Sequence, residues 1–170
     1  MDRLILMRHG KAEQHAASGG DFERALAPRG QNDAALMGQV LAKASLSPDL
    51  ALVSAARRTR ETWGAVASAF PKARATARRD LYHAEAQDVL AAIREDAPDT
   101  GTVMVVGHNP GLHELALRMA LGGPVDPAKL AQLRGKFPTA TVAVFSIDPD
   151  GAPALSHLFY ASENGGHGGE

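Results

Sequence analysis

Leu4-Ile5-Leu6-Met7-Arg8-His9-Gly10 decides how the rest of the chain reads. Four apolar residues without polar alternation predict a short strand buried on both faces, the kind found in parallel sheets. That strand delivers a guanidinium and an imidazole to its carboxyl end, where open α/β sheets bind ligands. The pattern recurs twice. Val103-Met104-Val105-Val106 runs into Gly107-His108-Asn109-Pro110-Gly111, and Leu50-Ala51-Leu52-Val53 runs into Ser54 and Arg57.

Helical patterns fill the spaces between these strands. Pro28 opens a helix to about Ala44, with Ala35, Leu36, Val40 and Leu41 as its apolar stripe. Ser54 is placed as the N-cap of a helix that carries Arg57 towards Phe70. A short strand is expected at 73–77, and helices at 85–96, 111–121 and 127–134. Thr139–Ile147 is β-branched and alternating, Asp148-Pro149-Asp150-Gly151 reads as a tight turn, and Ala154–Phe159 reads as a last, antiparallel strand. The polar stretch 12–25, with Gly19-Gly20, is expected to be a mobile loop, and the Gly-rich tail 162–170 to be flexible. Alternating strands and helices predict one domain over 1–161. Its fold class is α/β, a three-layer α/β/α sandwich around a doubly wound, mostly parallel sheet with an antiparallel edge strand.

Composition narrows the function. A net charge of -1 supplies no global field for nucleic acid or membrane. No cysteine is present, so thiolate catalysis and disulfides are out. No window reaches a membrane-spanning apolar length of roughly 18 residues, and no leader pattern precedes the first strand, so a cytoplasmic protein is expected. Of the 18 basic residues 13 are Arg, the side chain whose planar fork suits phosphate. His113-Glu114 resembles the start of a zinc-protease helix, but Leu117 stands where the second histidine is required.

Two histidines at two strand ends, with arginines nearby, point to phosphoryl transfer. A transferring phosphoryl group spreads negative charge over three oxygens and needs fixed cations and donors. Arg8, Arg57 and a protonated His108 are candidates for the charge, with Asn109 adding an amide at the start of the following helix. Gly10 and Lys11 flank the same site. His9 is the candidate nucleophile, requiring one bare ring nitrogen and an acceptor on the other. In Arg57-Arg58-x-Arg60 only one side chain can face the site, because successive helical residues differ by about 100°. Helical spacing alone does not say which of the three it is; Thr62 reads as a packing residue.

Arg8-His9-Gly10, Ser54-x-x-Arg57-x-x-x-x-Thr62 and Gly107-His108-Asn109 resemble the histidine phosphatase superfamily, which includes the phosphoglycerate mutases. Leu26-x-x-x-Gly30, Leu81-Tyr82, Gly107-His108-Asn109-Pro110-Gly111-Leu112 and Lys136-Phe137-Pro138-Thr139 are similar to its small SixA-type branch, the phosphohistidine phosphatases. The resemblance spans about residues 3–160. It implies a phosphoglycerate mutase-like fold, a phosphohistidine intermediate on His9, phosphate held by Arg8, Arg57 and His108, and neither metal nor cofactor; of the three neighbouring arginines it selects Arg57 and leaves Arg58 and Arg60 as surface.

The resemblance also frames the substrate. Relatives that cleave phosphate esters use a carboxylic acid after the third strand, since an alkoxide needs a proton to leave. Here that segment reads Leu81-Tyr82-His83-Ala84-Glu85, leaving Glu85 and His83 as candidate acids. Glu85 also suits a helix start. A weak acid fits phosphohistidine, whose imidazole leaves readily. The short segments 12–25 and 81–102 leave no room for a large lid, which fits a phosphate displayed on a partner protein such as a histidine phosphotransfer domain. A small phosphate ester is the alternative substrate, and a non-catalytic phosphate-binding module the reading from another class. A monomer is expected.

Overall fold

The structure, a computed structural model, describes residues 1–99 and 101–169. The strands are β1 (Arg3–Arg8), β2 (Leu50–Ser54), β3 (Arg74–Arg78), β4 (Thr102–Gly107), β5 (Val142–Ile147) and β6 (Pro153–Phe159). The helices are α1 (Pro28–Lys43), α2 (Arg57–Ala67), α3 (Ala86–Asp96), α4 (Gly111–Leu121) and α5 (Pro127–Gly135). One six-stranded sheet has the order β3-β2-β4-β1-β5-β6. The first four strands in that order pair in parallel, and β1–β5 and β5–β6 pair antiparallel. The expected antiparallel edge strand is β6. The strand that runs against all the others, however, is β5, one place in from the edge.

The apolar run of β1 is continuous because both of its faces are covered. Leu4 and Leu6 join the core under α3 and α4, while Ile5 and Met7 join the core under α1 and α2. All four are at most 1% exposed, and burying each side chain contributes about 1.5–3 kcal/mol. This is the three-layer sandwich expected. Among the described residues no helix is long and apolar enough to cross a membrane.

Four local expectations are corrected. The stretch 12–25 is tied down: Ala12 bridges Leu26, Glu13 N–H donates to Ala25 O, and a 3-10 turn forms at Asp21–Glu23. Thr139–Thr141 is not strand. It turns beneath the end of β1, with Ala140 in the left-handed region at φ 62°, so that Ala140 N–H reaches His9 O at 3.0 Å. Ser54 ends β2, and α2 starts at Arg57 behind Ala56 with no side-chain cap. The tail described to residue 169 is docked. The His167 and Gly168 amides donate to the two oxygens of buried Asp33, at 2.9 and 2.8 Å, and Thr139 N–H and Oγ1–H donate to Gly169 O.

Candidate functional site

The register Arg8↔Gly107 sets the ends of β1 and β4 side by side. His9 and His108 therefore leave adjacent strands together, their ring centroids 5.3 Å apart. Both are buried, at 8% and 7% exposure. His9 Nδ1 lies 2.7 Å from Gly10 O. A carbonyl only accepts, so Nδ1 carries the proton and Nε2 is bare. This supplies the acceptor that sequence reasoning left unnamed. Desolvation is the main cause that lowers the His9 pKa to about 3; the Gly10 bond works against it, and Arg58, Arg8 and Arg24 add to it.

Close backbone packing fixes this loop. Gly10 N–H donates to Thr62 Oγ1 at 3.0 Å, and Thr62 Oγ1–H donates to Arg58 O. A Cβ on Gly10 would stand 2.6 Å from Gly30 O, and one on Gly30 would stand 2.1 Å from Lys11 O. Thr62 thus does more than pack: it ties α2 to the turn after β1. Lys11 has its carbonyl bonded by Ala27 N–H, and its side chain borders an open pocket with Glu13, His15 and Arg29.

The arginine that α2 brings to the histidines is Arg58, not Arg57. Arg57 is half-exposed and pairs with Glu61 at 3.5 Å on the outer face. Arg58, one residue and about 100° on, has only 5% of its side chain exposed. Its Nη2 donates to His108 Nδ1 at 3.3 Å. The expectation that the resemblance gave for Arg57 is corrected here: Ser54 ends β2, α2 starts at Arg57 behind Ala56, and that start turns Arg58 inward.

His108 is neutral in this state. Arg58 can only donate, so Nδ1 accepts, and Nε2–H donates to Ser54 Oγ at 2.7 Å. Desolvation foremost, then His9 and Arg58, lowers its pKa to about 3. The protonated His108 expected from sequence is therefore corrected for the open pocket; a phosphoryl dianion alongside would push its pKa back up.

On the other side of His9, the 137–141 turn organises Arg8 and Asn109. Phe137 O accepts from Arg8 Nη1 at 3.1 Å and from Asn109 Nδ2 at 2.8 Å. The Asn109 side-chain amide is thereby committed to the protein, and its Oδ1 is buried without a hydrogen-bond partner.

Asp21 completes the cluster, and no sequence signal marked it. Its backbone O accepts from Arg58 Nη1 at 2.8 Å and its Oδ2 from Arg58 Nη2 at 3.1 Å. Tyr82 O–H donates to Oδ2, and Arg24 Nε donates to Oδ1 at 2.9 Å. Burial opposes ionisation of Asp21, but hydrogen bonds from Tyr82 and Arg24 and the Arg58 cation outweigh it and hold the carboxyl well below its ordinary range.

The two candidate acids separate clearly. Glu85 caps α3 in a reciprocal box, its side chain accepting from the Asp88 amide while Asp88 accepts from the Glu85 amide. His83, in the left-handed region at φ 55°, stands exposed at the rim, 6.4 Å from the His108 ring and 3.8 Å from the Asp21 carboxylate. His113 is structural: it bonds Leu133 O and stacks on Phe137. Among the described residues no group of three or more His, Asp or Glu is placed to hold a metal ion.

Comparison with known proteins places this geometry. The family model of the histidine phosphatase superfamily (branch 1) matches residues 4–85. A crystal structure from Agrobacterium tumefaciens, assigned as the phosphohistidine phosphatase SixA, superimposes with a TM-score of 0.80 at 30% identity, covering 94% of this chain and 97% of that one. The chain belongs to the histidine phosphatase superfamily. Within it this protein is of the SixA type, and it is a phosphatase. An uncharacterized protein of Mycobacterium tuberculosis is 34% identical over 141 residues, 83% of this histidine phosphatase and 87% of its own length. The phosphoglycerate mutase of Plasmodium falciparum, at 17% identity, shares the fold with a TM-score of 0.63 over 94% of this chain and 90% of its own.

Proposed function

We propose that this histidine phosphatase removes phosphate from phosphohistidine on a partner protein, without a metal, in two steps through His9. The bare Nε2 of His9 attacks phosphorus, the leaving imidazole departs, and water then releases phosphate from His9. The observation that carries the reading is the 2.7 Å bond from His9 Nδ1–H to Gly10 O, which presents the other nitrogen unprotonated. Arg8 and Arg58 supply fixed positive charge for the phosphoryl oxygens, and His108 adds charge once phosphate raises its pKa. Arg58 takes the place first expected of Arg57.

The substrate class follows from what the carboxylates are doing. Glu85 is engaged in the α3 cap and Asp21 in ion pairs, so neither is poised to protonate an alkoxide. A phosphoimidazole protonated on its second nitrogen leaves as neutral imidazole and needs no such acid. The A. tumefaciens neighbour bears the name of that activity. A small phosphate ester is the second reading, favoured by His83 at the rim as its proton donor.

The test is to mix the protein with a histidine-phosphorylated phosphotransfer domain carrying radiolabel. Rapid quenching should trap an acid-labile, base-stable phospho-enzyme, absent in His9→Ala. Near wild-type turnover by His9→Ala would sink the mechanism. Faster cleavage of sugar phosphates that collapses in His83→Ala would favour the ester reading.

A further inference from the structure

Asp21 has no step in the reaction proposed above, yet it is built into the pocket. In an in-line displacement the nucleophile and leaving group lie on opposite sides of phosphorus. His9 is at the buried end, so the rest of the substrate extends towards the solvent rim. That rim carries Asp21, 43% exposed, and His83, 69% exposed, beside Tyr82 and Phe22 packed edge to face. Three guanidinium groups adjoin it: buried Arg58 beneath Asp21, Arg24, and Arg79, which lies over the Phe22 ring at 4.8 Å.

Three arginines around a phosphoryl pocket would hold any metabolite with a second anionic group. Asp21 answers two of the three: Arg58 through Oδ2 and its backbone carbonyl, Arg24 through Oδ1. An open pocket of about 300 Å³, lined by Gln14, His15 and Arg24 among others, adjoins the same carboxylate. We infer that Asp21 is a specificity-determining residue that rejects substrates carrying a second anionic group near the phosphoryl. Its fixed negative charge cancels the attraction that Arg24 and Arg58 would offer such a group and repels it at close range. Tyr82 fixes the carboxylate in place by donating to Oδ2. The inference rests on the pocket being the phosphoryl site, as proposed above.

Asp21→Asn tests it, because the amide keeps an acceptor oxygen for Arg58 while removing the charge. Wild type, Asp21→Asn and Asp21→Glu are compared on p-nitrophenyl phosphate and on 3-phosphoglycerate. The ratio of kcat/KM for 3-phosphoglycerate over p-nitrophenyl phosphate should rise about tenfold in Asp21→Asn, an effect of about 1.4 kcal/mol. It should stay near wild type in Asp21→Glu, and the gain should shrink as salt is raised. An unchanged or lower ratio would overturn the inference and leave Asp21 as a support for Arg58 alone. Should the wild type turn over neither ester, the reaction proposed above stands or falls separately on turnover of the phosphorylated phosphotransfer domain, and equilibrium dissociation constants for 3-phosphoglycerate and inorganic phosphate decide the inference instead. Their ratio should shift in the same direction in Asp21→Asn, and a fixed ratio refutes it. Thermal unfolding confirms that each variant folds.

Discussion

Alanine at position 57 and alanine at position 58 should have opposite consequences, although the two arginines are adjacent in sequence. Arg57 is half-exposed and its one ion pair, to Glu61 at 3.5 Å, lies on the outer face. Such a pair contributes about 0–1 kcal/mol, so Arg57→Ala should leave kcat/KM on p-nitrophenyl phosphate within about fivefold of wild type. Arg58 is buried between Asp21 and His108. A charge-assisted hydrogen bond contributes about 1.5–3 kcal/mol. Losing one or two of them to a phosphoryl group removes about 1.5–6 kcal/mol, or about 10- to 10⁴-fold at 1.36 kcal/mol per decade. Arg58→Lys should fall between, keeping charge without the planar fork that holds Asp21 and His108 together. Steady-state kinetics beside thermal unfolding of each variant make the measurement. If Arg57→Ala loses more activity than Arg58→Ala at equal stability, the assignment of roles on α2 is wrong.

The remaining predictions concern stability. His9 and His108 have folded pKa values of about 3 against an unfolded value of 6.5. Between those limits the unfolded chain binds more protons, so stability is full above pH 6.5 and falls as pH drops towards 3. Urea titrations should show this acid limb flattened in His108→Asn. Gly30→Ala puts a Cβ into Lys11 O and should destabilise by about 1–3 kcal/mol. Gly64→Ala, on α2 with open space around it, should stabilise by about 0.5–1 kcal/mol; both are read by chemical denaturation. Asp33→Ala leaves two tail amides without their acceptor and should cost about 1–3 kcal/mol, with faster hydrogen exchange at His167 and Gly168 than in wild type.

What the chain made legible was whatever depends on a short period. Buried runs ending in Arg8-His9-Gly10 and Gly107-His108-Asn109 placed the two histidines at strand ends, because sheet faces and strand length are local properties. Which arginine of α2 faces inward is not legible from spacing alone: it depends on where the helix starts, and with the first turn at Arg57 it is Arg58. Asp21 was hidden for another reason. A polar segment with Gly19-Gly20 reads as loop, and only the distant Arg58 and Tyr82 give it a fixed place. The docking of the tail is hidden in the same way, since its anchor is Asp33, a carboxylate more than 130 residues upstream on α1.

The pairing of Arg8 with Gly107 joins residues 99 positions apart (107 minus 8). Closing so long a loop is entropically unfavourable, and in the folded protein the β1–β4 contact is supported by β2 pairing with β4 and by the helices packed on both faces. His9 without β4 is an imidazole on a strand, and a fragment ending before residue 102 contains one half of the pocket and no His108. Recovery of phosphatase activity during refolding therefore requires the β1–β4 pairing, and turnover becomes a reporter of that long-range contact.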